Sequence, residues 1–261
     1  MKRSACVLIR EQPYYRRDSF LAGLRSVGYD IVPTPRPHPD GVVVIWNRYG
    51  GYESVAKQYE KAGGTVLIAE NGYLGRDWLG AHWYAIARNF HNGAGWWPTE
   101  PEYTPLSKQR WNTFGVDLQP WRRDGKEIVV LATRSIGPQG VCEPRGWSDQ
   151  IAKRISARHE VRIRTHPGEN KCVPLEKDLE NARAVVTWGS GGALKALLWG
   201  IPVFHGFPKW IGASAAKMID GTTDFDFPSM PNRISMFRQL AHAMWTTTEI
   251  ESGEPFRCLL A

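Results

Sequence analysis

The sequence predicts an α/β protein made of two Rossmann-like, doubly wound domains that face a cleft. Short apolar segments of strand length alternate with amphipathic segments of helix length along most of the chain. The alternation begins twice, near residue 5 and again near residue 127, and the stretch between is rich in Gly, Pro and Trp. Because 261 residues suffice for two small hydrophobic cores, we predict domains over residues 1–122 and 123–261.

The N-terminal domain is predicted to contain a parallel sheet. Its strands cover residues 5–9, 29–32, 42–46 and 65–69, and its helices cover residues 18–27 and 52–62. Asp18 is a suitable helix N-cap, and Gly28 is a suitable helix end. Prolines between residues 33 and 39 exclude a central strand there. Residues 72–123 show little periodicity, apart from a short strand at 83–87.

The C-terminal domain is predicted to repeat this order. Its strands cover residues 127–133 and 160–166 and a third segment that leads to Gly189, and its helices begin at residues 147 and 192. A last helix over residues 235–248 carries its apolar side chains on one side. We expect this helix to cross back to the first domain.

The composition favours a polyanionic partner and a reduced compartment. The formal net charge is +7, and arginines cluster with aromatic residues; a basic surface that only promotes solubility is the alternative. The four cysteines are widely separated, which excludes a closely spaced zinc motif. Neither a signal peptide nor an apolar run of about 20 residues is present. We therefore expect a cytoplasmic protein without a structural metal.

A glycine-rich turn is the strongest candidate for a ligand site. Gly189, Ser190, Gly191 and Gly192 separate a predicted buried strand from a predicted helix. Small residues let backbone N–H groups approach an anion closely, so this turn is suited to a nucleotide phosphate. The strand that ends at His166 is expected to lie beside it, because ligands collect where the carboxyl ends of parallel strands meet.

These residues carry a resemblance to a known family. His166 followed by Pro167, Ser190 in a glycine-rich turn and the Gly-Ile-Pro-Val sequence at 200–203 resemble the donor-binding half of GT-B glycosyltransferases. The capsule-polysaccharide and the sialyl- or Kdo-transferring groups use a comparable His-Pro and Ser pair to hold the sugar nucleotide. Those groups often have an acidic residue where this chain has Lys195.

A second resemblance extends over nearly the whole chain, to glycosyltransferase-like proteins of tailed phages. It is carried by residues 10–17, 70–76, 91–95 and 252–257. It implies a nucleotide-sugar donor, with a UDP-sugar favoured, and DNA as the partner. The implied acceptor is the hydroxymethyl group of a modified pyrimidine, with 5-hydroxymethylcytosine favoured, in the host cytoplasm. The resemblance implies no obligatory cofactor, in keeping with GT-B chemistry.

Donor-binding residues are expected at the strand ends of the C-terminal domain. Arg134 follows a predicted strand, where its guanidinium suits a diphosphate, and His166 and Ser190 are suited to donate hydrogen bonds to it. The full predicted donor set is Arg134, Ser135, Gly137, His166, Gly189, Ser190, Gly191, Gly192 and Lys195. Structural roles for Arg134 and His166 are the alternative.

Catalytic and acceptor-binding residues are expected in the N-terminal domain. Glu70 is the first candidate base because it follows an apolar strand and precedes a sharp Asn-Gly turn, and Asp77 and His91 are the others. Arginine and tyrosine side chains at a strand end suit phosphates and unstacked bases. The predicted acceptor set is Arg10, Tyr14, Tyr15, Arg16, Arg17, Arg48 and Arg76.

Two other functions remain open from the sequence. The first is transfer of a sugar to a capsule or other surface glycan instead of DNA. The second is a module that binds a sugar nucleotide or DNA without catalysis. Turnover with any donor separates the second from the others, and salt-dependent DNA binding separates the DNA acceptor from a glycan.

Overall fold

The computed structural model describes residues 3–90, 93–97, 106–166, 173–220, 225 and 230–261. The chain divides into two compact units. Unit 1 comprises Met1–Phe114 and Arg238–Ala261, and unit 2 comprises Gly115–Phe237. Within the described residues, each unit contains one β-sheet.

The elements of the described residues are numbered in chain order. The strands are β1 (Ser4–Val7), β2 (Asp30–Ile31), β3 (Gly41–Ile45), β4 (Thr65–Asn71), β5 (Trp83–Arg88), β6 (Glu127–Leu131), β7 (Glu160–Arg164), β8 (Ala182–Thr187), β9 (Val203–His205), β10 (Lys217–Met218) and β11 (Met244–Thr246). The helices are α1 (Arg17–Ser26), α2 (Gly51–Lys61), α3 (Leu106–Thr113), α4 (Trp147–Ile155), α5 (Leu175–Asp178), α6 (Gly192–Leu198), α7 (Arg233–Ala243), α8 (Thr247–Ser252) and α9 (Glu254–Leu259).

The sheet of unit 1 has the order β11-β5-β4-β3-β1-β2. Strands β2, β1, β3 and β4 are parallel, as predicted, but β5 is antiparallel to β4 and β11 is antiparallel to β5. The reason is the connection between β4 and β5, which has no helix long enough for a parallel crossover. The expectation of a fully parallel sheet is therefore wrong for β5 and for the edge strand β11.

Both faces of this sheet are covered. One face packs Val7, Leu67 and Tyr84 against apolar side chains of α1 and α9. The other face packs side chains of β3 and β4 against Ala56 and Tyr59 of α2. Burial on both faces explains why the central strands read as continuous apolar runs instead of alternating ones.

The last predicted helix is interrupted. Helix α7 ends at Ala243, and the next three residues form β11. Thr246 then caps α8, since its hydroxyl accepts the Glu249 N–H while the Glu249 carboxylate accepts the Thr246 N–H. This Thr-x-x-Glu capping box stops the helix predicted over 235–248, although the chain does return to unit 1 within α7.

The sheet of unit 2 is parallel throughout, with the order β10-β9-β8-β6-β7. Strand β6 lies between β7 and β8, so the strand that ends near His166 is not the neighbour of the strand that ends near Gly189. The prediction that these two strands are adjacent is wrong. The strand order reverses between β6 and β8, which makes the ends of these strands a topological switch point.

Candidate functional site

The switch point of unit 2 collects most of the predicted donor residues. The loop after β6 carries Arg134, Ser135 and Gly137, and the loop after β8 carries Gly189 to Gly192. His166 follows β7, on the other side of β6. In parallel α/β sheets ligands bind outside the carboxyl ends of the strands at such a point, so this edge is the candidate ligand site of unit 2.

The loop after β6 is anchored by Glu143, which the sequence analysis did not single out. The side chain is buried, and its carboxylate accepts the Thr133 N–H at 2.7 Å and the Ser148 hydroxyl at 2.5 Å. A buried carboxylate that accepts two hydrogen bonds holds the start of the loop in place. No spacing in the sequence indicates this role, because Glu143 lies within an irregular segment.

A tryptophan connects the two loops. The Trp188 indole N–H donates to the Val141 carbonyl at 2.9 Å, and its ring meets the ring of Trp147 edge to face at 5.5 Å. A side chain at Gly206 would clash with both rings, since a Cβ there would lie 2.6 Å from Trp147 and 2.7 Å from Trp188. Some of the chain's many tryptophans therefore serve to fix the site loops.

The glycine-rich turn is shaped by its own hydrogen bonds. Thr187 Oγ1 accepts the Ser190 N–H at 2.9 Å and donates to the Leu131 carbonyl at 3.1 Å. Ser190 Oγ accepts the Gly192 N–H at 3.2 Å. Gly191 is exposed, and a Cβ there would meet open space. The following helix, α6, begins at Gly192 and has seven residues.

Arg134 and His166 are brought together at the ends of adjacent strands. The Arg134 guanidinium side chain is exposed, and so is His166. Partial desolvation, together with the positive charges of Arg134 and Arg164, lowers the pKa of His166 below its ordinary value. Arg164 is itself ion-paired with Asp178. Because β6 and β7 are adjacent and parallel, Arg134 and His166 follow neighbouring strand ends, and the charge of Arg134 acts on His166.

In unit 1 a ladder of aromatic rings lies at the switch point between β1 and β3. Tyr15 meets Tyr14 and Trp46 edge to face, each at 4.8 Å, and Trp46 meets Tyr84 at 6.0 Å. The Tyr84 hydroxyl donates to the Tyr14 carbonyl at 3.1 Å. These contacts hold the loop after β1 against the sheet, and this loop contains most of the predicted acceptor residues.

Arginines flank this aromatic ladder. The Arg76 guanidinium lies 4.0 Å from the centre of the Tyr14 ring, and that of Arg10 lies 5.9 Å from the Tyr15 ring. Burial raises the pKa of Tyr84 to about 12, and the charges of Arg16 and Arg76 act against that rise. The structure therefore gathers Arg10, Arg16 and Arg76 around one surface.

Two predicted acceptor arginines are used within the fold. Arg48 is 3% exposed and forms ion pairs with Glu53 at 2.7 Å and Glu60 at 2.6 Å. It also donates to the Asn89 carbonyl at 2.8 Å. The prediction that Arg48 contacts the acceptor is therefore wrong, because its donors are satisfied inside unit 1. Arg17 is partly exposed and pairs with Glu11 at 3.0 Å.

The predicted base residues Glu70 and Asp77 lie on opposite faces of the sheet of unit 1. Glu70 lies within β4, paired with Ala85, and alternation along β4 places it on the α2 face of the sheet, opposite Tyr84. Asp77 lies near the Tyr84 face, 3.2 Å from Arg76 Nη2 and 3.3 Å from His82 Nδ1. His91 lies outside the described residues. Asp77 thus shares a surface with the acceptor residues, and Glu70 does not.

The two α/β units have the GT-B-like fold class that the sequence predicts. The chain is similar to KpsC of Thermosulfurimonas dismutans, a β-Kdo 2,7 transferase, with a TM-score of 0.57 and 13% identity over 97% of this chain and 99% of that chain. It is also similar to the β-Kdo 2,4 transferase of KpsC from the same organism, with a TM-score of 0.54 and 13% identity over 92% and 91% of the two chains. Neither a protein-family model nor a curated protein matches the sequence.

Two properties of the described residues bear on the kind of site. Within them, no group of three or more His, Cys, Asp or Glu side chains is arranged to hold a metal ion. No helix in the described part of the chain has the length and apolar character needed to cross a membrane.

Proposed function

We propose that this chain is a glycosyltransferase that moves a sugar from a nucleotide-activated donor to an acceptor hydroxyl. The observation that carries the proposal is the position of Arg134 and His166 after the ends of the adjacent parallel strands β6 and β7, beside the switch point. The same fold is shared with two Kdo transferases over nearly the whole chain, which supports this class of reaction.

In this proposal the charged and hydrogen-bonding groups of unit 2 bind the sugar donor. Sugar transfer leaves negative charge on the departing phosphate, and fixed positive groups lower the barrier by stabilising that charge. Arg134 supplies a permanent charge and a planar fork of donors, and His166 supplies a ring N–H. Ser190 supplies a hydroxyl at the adjacent turn. A UDP-sugar is the favoured donor.

The acceptor of the proposal is the hydroxymethyl group of 5-hydroxymethylcytosine in DNA. The arginines beside the aromatic ladder, Arg10, Arg16 and Arg76, suit backbone phosphates, and Tyr14, which is 41% exposed, offers a ring for an unstacked base. In duplex DNA the target nucleotide would have to leave the stack to reach an enzyme site.

An acidic surface glycan is the second candidate acceptor. It is favoured by the comparison with Kdo transferases. The same arginines would bind carboxylates of such a glycan, and the tyrosine rings would pack against sugar faces. Both candidates require the same donor chemistry in unit 2.

Mass spectrometry tests the proposal and separates the two acceptors. The full chain is incubated with a panel of UDP-, GDP- and CMP-sugars and with either hydroxymethylated DNA or acidic oligosaccharides. A mass increase of one sugar on the DNA base supports the DNA acceptor, and an increase on the oligosaccharide supports the glycan. No mass change on either acceptor with every donor contradicts the proposed reaction.

The donor affinity is expected to depend on pH through His166. Its pKa is lowered in the free protein, and a bound diphosphate raises it, because a nearby anion favours the imidazolium form. The complex then holds more protons than the free protein between the two pKa values. The affinity for a UDP-sugar should therefore rise as the pH falls through the pKa of the complex, and level off below the lowered pKa of the free protein.

Calorimetric titrations at several pH values check this, with His166→Gln as the comparison. A UDP-sugar is used because its diphosphate does not titrate near neutrality. The variant should bind more weakly and lose the pH dependence. If the affinity of the variant depended on pH as steeply as that of the wild type, another group would be the one that takes up the proton.

Substitution of Arg16 tests DNA as the partner. Arg16→Ala is expected to weaken binding of hydroxymethylated DNA and to reduce the slope of log affinity against log salt by about 1, because one phosphate contact is lost. Arg25→Ala, at the other end of α1 and also exposed, is the matched control and should keep the wild-type slope. Equal salt slopes for the Arg16 variant and the wild type would argue against this surface as the DNA site.

A further inference from the structure

The segment of residues 76–82 between β4 and β5 holds an unusual group of polar atoms. Arg76 Nε, Trp78 Nε1 and His82 Nε2 are buried, and none of them has a hydrogen-bond partner among the described residues. Leu79 adopts a positive φ of 54° and is 56% exposed. Unpaired buried polar atoms cost free energy, and together with a strained backbone they are typical of functional sites.

The segment is nevertheless held firmly at its base. The Trp83 N–H donates to the Arg76 carbonyl at 2.7 Å, and the Trp83 indole N–H donates to the Trp78 carbonyl at 2.7 Å. The His82 carbonyl accepts the Thr247 N–H at 3.0 Å. Loose structure therefore does not explain the unpaired atoms.

His82 and Asp77 form a pair within this segment. Asp77 Oδ1 lies 3.3 Å from His82 Nδ1, and the His82 ring stacks on the Tyr84 ring at 5.9 Å. The carboxylate favours the tautomer in which Nδ1 carries the proton, so Nε2 is left with its lone pair. The His82 side chain is 24% exposed, and Asp77 is 61% exposed.

We propose that His82 is the base that activates the acceptor hydroxyl and that Asp77 is its positioning residue, an inference that rests on the proposed function. Acceptor binding must first expose His82 Nε2, which is buried in the free protein. The acceptor oxygen then forms a bond to the anomeric carbon as its proton passes to His82 Nε2. The bond from that carbon to the donor phosphate oxygen breaks, and its electron pair leaves on the nucleotide. The carboxylate of Asp77 then balances the imidazolium charge.

The surroundings favour this pair over the other candidate bases. Arg76 lies against both Asp77 and the Tyr14 ring, so the pair adjoins the arginines proposed to bind the acceptor. Glu70 lies on the opposite face of the sheet. The groups that face His82 are the Asp77 carboxylate, the Tyr84 ring and the start of α8.

Two measurements on the full chain test the proposal. The first is steady-state transfer with the best donor and acceptor from the mass-spectrometric screen. His82→Gln should lower kcat at least about 100-fold, and Asp77→Asn at least about tenfold, while the KM for the donor stays within about threefold. His38→Gln, a histidine elsewhere in unit 1 that contacts Ser4, is the matched control and should keep the wild-type kcat.

The second measurement is long-range ¹H–¹⁵N NMR of the histidine rings, which does not depend on turnover. The His82 signals, assigned by their loss in His82→Gln, should show a protonated Nδ1 and an unprotonated Nε2. Asp77→Asn, at an exposed position that leaves folding intact, should shift His82 toward the other tautomer. A His82 ring with its proton on Nε2 in the wild type would overturn the proposal.

The outcomes also separate this inference from the proposed function. Wild-type transfer together with a His82→Gln kcat within about threefold of the wild type overturns His82 as the base and leaves the transferase standing. Absence of transfer by the wild type with every donor refutes the transferase, and with it the catalytic role of His82. A large loss of kcat in His82→Gln and Asp77→Asn, with donor KM retained, supports both.

Discussion

Arg134→Ala is expected to lower kcat for sugar transfer by about 100- to 1,000-fold, the range found when a single donor to a developing negative charge is removed. The side chain is exposed and follows β6 directly, so its loss should leave the thermal stability of the protein unchanged. Arg134→Lys keeps the charge but not the planar fork, and should give an intermediate kcat. Single-turnover kinetics at saturating donor measure the effect on the chemical step.

Arg158→Ala is the matched control for this substitution. Arg158 is also exposed and lies between α4 and β7, at the edge of the sheet opposite the strand ends that carry Arg134. We expect wild-type kcat for this variant. Equal losses in the two variants would mean that Arg134 acts only through the net charge of the protein and makes no contact with the donor.

Arg48→Met is expected to destabilise the protein by about 3 kcal/mol, because it leaves two carboxylates without the buried cation they share. Arg48 is 3% exposed, and Glu53 and Glu60 are 22% and 36% exposed. Partial hydration of the two glutamates keeps the cost at the lower end of the usual range. The midpoint of thermal unfolding should fall by roughly 6–12 °C, as measured by calorimetry or circular dichroism.

The matched control for Arg48 is Lys57, a surface residue that also pairs with Glu53. Lys57 lies 3.5 Å from Glu53 and is 70% exposed, so Lys57→Met should change the stability by less than about 0.5 kcal/mol. DNA or glycan binding should be the same in both folded variants and the wild type. If the Arg48→Met protein were as stable as the wild type but bound the acceptor more weakly, Arg48 would be an acceptor-binding residue after all.

The strand positions were predictable because they depend on local patterns. Segments such as Val42 to Ile45 and Ile128 to Leu131 are continuous apolar runs bounded by turn residues, and a buried strand is the structure that suits them. The direction of β5 was not predictable in this way. Its sequence reads as a strand in either direction, and only the short connection from β4 determines that it is antiparallel.

The end of the last predicted helix is a second feature that the sequence pattern did not predict. Apolar residues of this segment continue through Met244 and Trp245 at helical spacing, which favoured one long helix. The capping box of Thr246 and Glu249 was visible in the sequence, but its effect depends on β5 offering a free edge to β11. The end of this helix therefore depends both on the local capping box and on the pairing of β11 with the distant strand β5.

By itself the sequence determined the α/β class, the positions of most elements and the clustering of polar residues at strand ends, since apolar periodicity and glycine turns act over a few neighbouring residues. Only the tertiary structure decided which arginines are available. Arg48 and Arg76 look alike in sequence, but Arg48 is 3% exposed and paired with Glu53 and Glu60, whereas Arg76 is 29% exposed and lies against the Tyr14 ring. Strand order likewise placed β6 between β7 and β8 and His82 beside Asp77 and Tyr84. Such contacts join distant residues, so they depend on how the chain packs and not on its local pattern.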